Sequence, residues 1–240
     1  MTGMREGRPD LPRVMPRAII FDMDGLLLDT EVLAAQAWDE AAAAQGVSFD
    51  RALALSLVGR NFRDCIELVR AHCGSDYPCD AVLGGWHAAY DAVVEREGVR
   101  VKAGARELLA WVSMQDLPCA VATSTRAARA RAKLGDAGLL DALDALVGGD
   151  EVARGKPAPN IYIEAARRLH ALPTHCFVLE DSEPGVRGAL AAGMTAILVP
   201  DIAPPSAALL ALRPHVAASL HEVHEHLRSL APSRTVESAP

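Results

Sequence analysis

Positive charge is in deficit in this chain. Lys and Arg total 24 against 31 Asp and Glu, a formal net charge of −7. This argues against a general nucleic-acid or membrane-surface binder, because a polyanionic partner wants the opposite excess. A small anionic substrate in a locally basic pocket stays compatible with it. Cysteine is scarce and odd in number: Cys65, Cys73, Cys79, Cys119 and Cys176, with no CxxC pair. That speaks against a disulfide framework or a zinc ribbon and for idle or buried thiols in a reducing compartment. No apolar run approaches the ~20 residues of a membrane span. The opening MTGMREGRPDLPRVMP carries charges and prolines but no apolar stretch of the secretory kind. A cytoplasmic location and a monomer are the default expectations, and no internal repeat is evident.

The 240 residues, half of them apolar and 23% charged, suit a soluble globular protein with one large core and room for a smaller companion. Arg17 to Asp22 (RAIIFD) is a continuous apolar run ending in an acid, as expected of a strand buried on both faces of a parallel sheet. Pro118–Thr123, His175–Glu180 and Thr195–Val199 repeat the pattern, and Ala142–Val147 does so more weakly. Helical segments lie between them at Gly104–Met114, Arg126–Gly135, Pro159–Leu169 and Pro184–Ala192. Alternating strands and helices predict an α/β fold, a doubly wound, mostly parallel sheet covered on both faces. Residues 33–100 break the alternation; they are Ala-rich and helical, and read as a helical insertion capping a core formed by 17–32 and 101–230. Residues 1–16 read as a flexible arm and 231–240 as a disordered tail.

In an open α/β sheet, ligands sit beyond the carboxyl ends of the strands. The residues ending each run therefore belong together: Asp22 and Asp24, Thr123 and Ser124, Lys156, then Glu180 and Asp181. Mg²⁺ prefers one or two carboxylates plus phosphate oxygens, and this set fits it, with Lys156 left to neutralise phosphate. Asp22 and Asp24 are two apart, so an extended chain presents both to one side, and Gly25 then permits a sharp turn. An EF-hand fails on spacing, since Leu27 and Leu33 stand where Gly and Glu are needed. A P-loop at Gly155-Lys156 fails because Pro157 follows.

Phe21-Asp22-Met23-Asp24-Gly25-Leu26-Leu27-Leu28-Asp29-Thr30-Glu31 resembles the first motif of the haloacid dehalogenase superfamily of phosphohydrolases. Ala122-Thr123-Ser124, Gly155-Lys156-Pro157 and Glu180-Asp181-Ser182 resemble the second, third and fourth, in order, across roughly residues 17–200. The nearest subgroup resembles the β-phosphoglucomutase-like and pseudouridine-5′-phosphatase-like enzymes, with the helical block as their small cap. The resemblance implies a Rossmann-like core and a Mg²⁺-dependent phosphatase acting on a small phosphorylated metabolite, a sugar phosphate or nucleoside monophosphate. It implies Asp22 as nucleophile, Asp24 as general acid and base, Thr123 as a donor to the phosphoryl oxygens and Lys156 as their counter-charge. Gly25 and Ser124 are expected beside the substrate. The metal set would be Asp22, Asp24 through its carbonyl, Asp181, and Glu180 either directly or through water.

Within the cap, Gly59-Arg60-Asn61-Phe62-Arg63-Asp64 is a candidate substrate loop, with Arg60 or Arg63 reaching the phosphate or polar body. Trp38, Trp86 and Tyr90 are expected to pack the cap, and the histidines of HEVHEHL to lie on a wet terminal helix. A phosphosugar mutase is the alternative. Two departures weaken it: Ala34 stands where that branch carries His, and Phe62 where an ungapped match expects Arg. A 2-haloacid dehalogenase would not need Asp24. A phosphoacceptor module without turnover, of the receiver kind, would place its acidic pair first along the chain, whereas Glu180-Asp181 comes last.

Overall fold

The computed structural model describes residues 10–57, 62–74, 76–201 and 204–231, without the side chains of 55 and 62–64. Six strands form one parallel sheet: β1 (Ala18–Phe21), β2 (Cys119–Ala122), β3 (Ala145–Val147), β4 (Cys176–Glu180), β5 (Thr195–Leu198) and β6 (His215–Val216). Their order is β3-β2-β1-β4-β5-β6. The chain winds outward from β1 in one direction and then, from β4, in the other, so β1 and β4 flank the switch point where such sheets open a crevice.

The alternation within β1 divides two apolar layers. Ile19 and Phe21 join Val121, Leu179 and Ile197 against α5 (Ala105–Met114), α6 (Ala127–Asp136) and α10 (Leu220–Leu230). Ala18 and Ile20 join Ala120, Val178 and Leu198 against α7 (Asn160–Arg168), α8 (Glu183–Ala191) and α9 (Ala207–Ala211). Each fully buried Ile, Leu or Phe contributes about 1.5–3 kcal/mol, so both faces hold the sheet and no register slip is tolerated. This is the doubly wound α/β core that the apolar runs predict. The two-residue β6 escapes a sequence reading, being too short to carry a period.

Four helices lie between β1 and α5: α1 (Glu31–Ala43), α2 (Arg51–Leu57), α3 (Phe62–His72) and α4 (Cys79–Glu97). Leu33 and Ala37 of α1 meet Tyr90 and Val93 of α4. Trp38 stacks on Phe49 with ring centroids 4.9 Å apart, and Trp86 stacks on Tyr90 at 5.2 Å. The chain enters and leaves this layer side by side. Leu28 bridges Val101, and the amides of Asp29 and Lys102 donate to the carbonyls of Arg100 and Leu27.

Two expectations need correction. Of the supposed arm, residues 10–16 are anchored: Pro12 and Pro16 are buried, Leu11 packs on the core, and His226 donates through Nε2 to the Pro12 carbonyl at 2.6 Å. Burial of these apolar groups outweighs the entropy of a loose segment. The terminal helix is wet on one side only, since Leu220, Val223 and Leu227 enter the core and His224 lies 5.6 Å from the Trp111 ring. Residues 1–9 and the expected tail from 232 lie outside the described residues. No helix among the described residues is long and apolar enough to cross a membrane.

Candidate active site

Strand register assembles the site. Phe21 is level with Leu179 of β4 and Val121 of β2, so Asp22 leaves the sheet level with Glu180, and Thr123 follows one residue further along β2. The Asp22 amide donates to the Leu179 carbonyl at 3.0 Å and that of Thr123 to the Val147 carbonyl at 3.0 Å, extending the ladder to the edge. Lys156 arrives from the loop between β3 and α7.

Asp22, Lys156 and Glu180 form a buried charged row. The Lys156 ammonium donates to Asp22 Oδ1 and to Glu180 Oε1, the latter at 2.5 Å. The burial that would lower its pKa is overcome by the charges of Asp22 and Glu180, which hold it well above the ordinary lysine value. Burial, with Glu180 and Asp24 beside it, raises Asp22 against the opposing pull of Lys156.

Glu180 is fully buried and its oxygens are committed. Oε1 accepts from Lys156 and from the Tyr162 hydroxyl at 2.6 Å. Oε2 accepts from the amides of Asp181 and Ser182, each at 3.1 Å, and from the Ser182 hydroxyl at 2.9 Å. Gly185, one turn into α8, passes so close that a Cβ there would enter the Glu180 carboxylate.

Asp24 faces another way. Oδ1 accepts from the Thr30 hydroxyl at 2.9 Å and from Lys133 Nζ at 2.9 Å; Oδ2 accepts from Thr125 at 2.7 Å and from Thr123 at 3.3 Å. Burial alone would raise this carboxyl, but the Lys133 charge and the bonds from Lys133, Thr125 and Thr30 hold it below its ordinary value. Thr30 is the N-cap residue of α1 yet makes no side-chain cap; its hydroxyl goes to Asp24 instead.

Asp181 is the anomaly. Both its oxygens are buried without a hydrogen-bond partner, beside the space left by Gly25, whose φ of +86° also needs a glycine. Burial, then Glu180, Asp22 and Glu31, push its carboxyl well above the ordinary value. An orphaned buried carboxylate costs several kcal/mol unless something compensates it. Three buried carboxylates, at 22, 180 and 181, face one ammonium at 156, an excess of negative charge whose chemistry fits a divalent cation.

The expected metal set is Asp22, Asp24 through its carbonyl, Asp181, and Glu180 directly or through water. Among the described residues no three His, Cys, Asp or Glu side chains are grouped to hold an ion; the Asp24 side chain is turned to its threonines and lysine, and Glu180 to Lys156 and Tyr162. Asp181 is the carboxylate of that set whose two oxygens have no partner.

Of the other expected residues, Ser124 is half-buried beside the site, but its neighbour Thr125, two residues after Thr123, is the one that reaches Asp24. Arg60 and the side chains of Arg63 and Phe62 lie outside the described residues. Lys133, Thr30, Thr125, Tyr162 and Tyr90 were not singled out as site residues by sequence reasoning. Thr30 sits within the first motif and Thr125 shares the strand-like alternation of Thr123. The positions of Lys133 and Tyr162 follow only from how their helices dock.

The model of the haloacid dehalogenase-like hydrolase family matches residues 16–193, which include this whole row of side chains. The chain belongs to this family. Haloacid dehalogenase-like relatives include the fructose-1-phosphate phosphatase YqaB of Escherichia coli (strain K12), 34% identical over 187 residues covering 75% of this chain and 94% of YqaB. Protein CbbY of Rhodobacter capsulatus is 34% identical over 198 residues, covering 77% of this chain and 85% of CbbY. A solved structure of a CbbY variant from Rhodobacter sphaeroides, in complex with xylulose-(1,5)bisphosphate, superposes with a TM-score of 0.70 at 27% identity, covering 87% of this chain and 96% of that one. The family and the sheet expected from the motifs are thus both met.

Proposed function

We propose that this haloacid dehalogenase-like hydrolase is a Mg²⁺-dependent phosphatase of small phosphorylated metabolites, sugar phosphates foremost, working through an aspartyl phosphate at Asp22. The observation that carries this is Asp181, whose two buried oxygens lack partners next to the Asp22–Lys156 pair at the switch point. The names of YqaB and of the CbbY complex support the sugar-phosphate class.

Asp22 and Asp181, with the Asp24 carbonyl, would hold Mg²⁺, which when bound neutralises the phosphate and orients it. A carboxylate oxygen of Asp22 attacks phosphorus as the ester P–O bond breaks. Asp24, protonated for this step, gives its proton to the leaving alkoxide. It then takes a proton from the water that attacks the phosphoenzyme, releasing phosphate and restoring Asp22. Such a shuttle contributes about 10²–10⁴ in rate. The four donors on Asp24 favour its carboxylate, the form needed in the second step. Lys156 stabilises charge on the equatorial oxygens, and Glu180 holds Lys156 in place. We read α1 to α4 as the cap that excludes water from these steps.

The test is a screen of phosphorylated metabolites with Mg²⁺ and with EDTA, including fructose 1-phosphate, other hexose phosphates, phosphoglycolate and nucleoside monophosphates. Phosphate release that needs Mg²⁺ and vanishes in Asp22→Asn, with the fold unchanged by circular dichroism, is the expected result. Wild-type turnover by Asp22→Asn removes the nucleophile assignment.

A further inference from the structure

Lys133 lies near the end of an α6 segment, Arg126 to Lys133, whose alternating cations have the look of a solvated face. Its side chain is nevertheless only 11% exposed. The ammonium is shared between two layers. It donates to Asp24 Oδ1 at 2.9 Å and to the Tyr90 hydroxyl of α4 at 3.0 Å. Tyr90 is itself buried, stacked on Trp86, and has Lys133 Nζ 5.0 Å from its ring centroid. One turn earlier on α6, Arg129 lies 5.1 Å from the same ring and pairs with Asp91 of α4.

Desolvating a long, flexible ammonium is unfavourable unless fixed acceptors meet it. Here they are the general acid–base carboxylate and a phenol from the helical layer. Asp24's other three donors are neutral hydroxyls, and a charged donor bonds a carboxylate about twice as strongly. Lys133 therefore has the largest hold on where the Asp24 carboxylate points.

We propose that Lys133 is a positioning residue for phosphoryl transfer: it aims Asp24, and Tyr90 makes that aim depend on α4 lying against α6. Closure of the helical layer and alignment of the proton shuttle are then a single event, since an open layer leaves the ammonium without its second partner. This rests on the reading of Asp24 as shuttle given above.

The experiment compares wild type with Lys133→Met, Lys133→Arg and Tyr90→Phe by steady-state kinetics on the best phosphomonoester, and by crystal structures of wild type and Lys133→Met. Lys133→Met is expected to lower kcat by about 100-fold, the scale of a misplacement near 1 Å, with KM within about 3-fold. Lys133→Arg should recover part of kcat, and Tyr90→Phe should lower it less than Lys133→Met does. In the Lys133→Met crystal the Asp24 carboxylate should leave its place between Thr30 and Thr125. Unchanged kcat in Lys133→Met overturns the proposal, as does a rise in KM alone, which would make Lys133 a substrate contact. If the wild type hydrolyses no phosphomonoester, the phosphatase reading fails, and the crystal comparison alone decides: an unmoved Asp24 in Lys133→Met overturns the positioning role.

Discussion

Tyr162 and Lys156 share one acceptor, Oε1 of Glu180, at 2.6 and 2.5 Å. The tyrosine hydroxyl and the ammonium converge on an oxygen of a fully buried carboxylate, so Lys156 is held by a fixed partner on each side, Asp22 and Glu180. Tyr162→Phe removes one donor and leaves the ring in place. A hydrogen bond to a charged group is worth about 1.5–3 kcal/mol, and urea unfolding of this variant should show a loss of that size. Turnover should fall with it, because Glu180 then holds Lys156 less firmly.

Gly185→Ala sets helix propensity against packing. Replacing a glycine within α8 by alanine favours the helix by about 0.5–1 kcal/mol. The added Cβ, however, enters the Glu180 carboxylate, which cannot swing aside because Lys156, Tyr162, Ser182 and the Asp181 amide grip it. Overpacking of this kind costs about 1–3 kcal/mol, so packing wins. The variant should unfold at lower urea than wild type and turn over more slowly; a gain in stability would show that Glu180 yields.

Much of this site is legible in one sequence because its main carboxylates follow apolar runs directly. Asp22 and Asp24 succeed Ile19-Ile20-Phe21, and Glu180-Asp181 succeed Phe177-Val178-Leu179, so a two-faced strand also announces where its acids emerge. The partners of those acids are another matter. Lys133 comes at the end of Arg126-Ala127-Ala128-Arg129-Ala130-Arg131-Ala132-Lys133, where nothing local separates a buried ammonium from solvated ones. Its burial depends on α4, which lies some forty residues earlier and on another layer. The partners of Glu180 are hidden for the same reason: Tyr162 and Lys156 reach it by tertiary packing, which no spacing rule encodes. The anchored residues 10–16 also look loose because their proline-rich run has no period, yet Pro12 and Pro16 are buried and the Pro12 carbonyl accepts from His226 of α10.

Asp181→Asn should stabilise the protein in EDTA while abolishing any stabilisation by Mg²⁺. In the metal-free protein its carboxylate is buried without partners, and burial with Glu180, Asp22 and Glu31 raises its pKa in the folded state. An acid raised on folding binds more protons folded than unfolded, so wild-type stability falls as pH climbs from about 3.9 through the folded value. Below that window the two proteins should melt alike apart from the amide substitution. At neutral pH the variant should be the more stable, because its amide brings no charge into the same buried place. Thermal melts across pH, with EDTA and with Mg²⁺, check both halves. A wild type as stable as the variant in EDTA at pH 7 would mean that Asp181 is compensated without metal.

Thr30 offers a case where two roles for one hydroxyl can be told apart. As the residue preceding α1 it would ordinarily cap the helix, and losing a threonine cap costs about 0.5–2 kcal/mol. Its side chain makes no such bond and donates to Asp24 Oδ1 instead. A double-mutant cycle of Thr30→Val with Asp24→Ala separates the roles. If the hydroxyl serves Asp24, the two unfolding penalties should be non-additive, with a coupling of about 0.5–3 kcal/mol as for residues in contact. If it serves α1, they should add within about 0.5 kcal/mol. Turnover should discriminate further: Thr30→Ser keeps the donor and most of kcat, whereas Thr30→Val loses kcat with little change in KM, since the hydroxyl touches Asp24, the carboxylate proposed above as the proton shuttle.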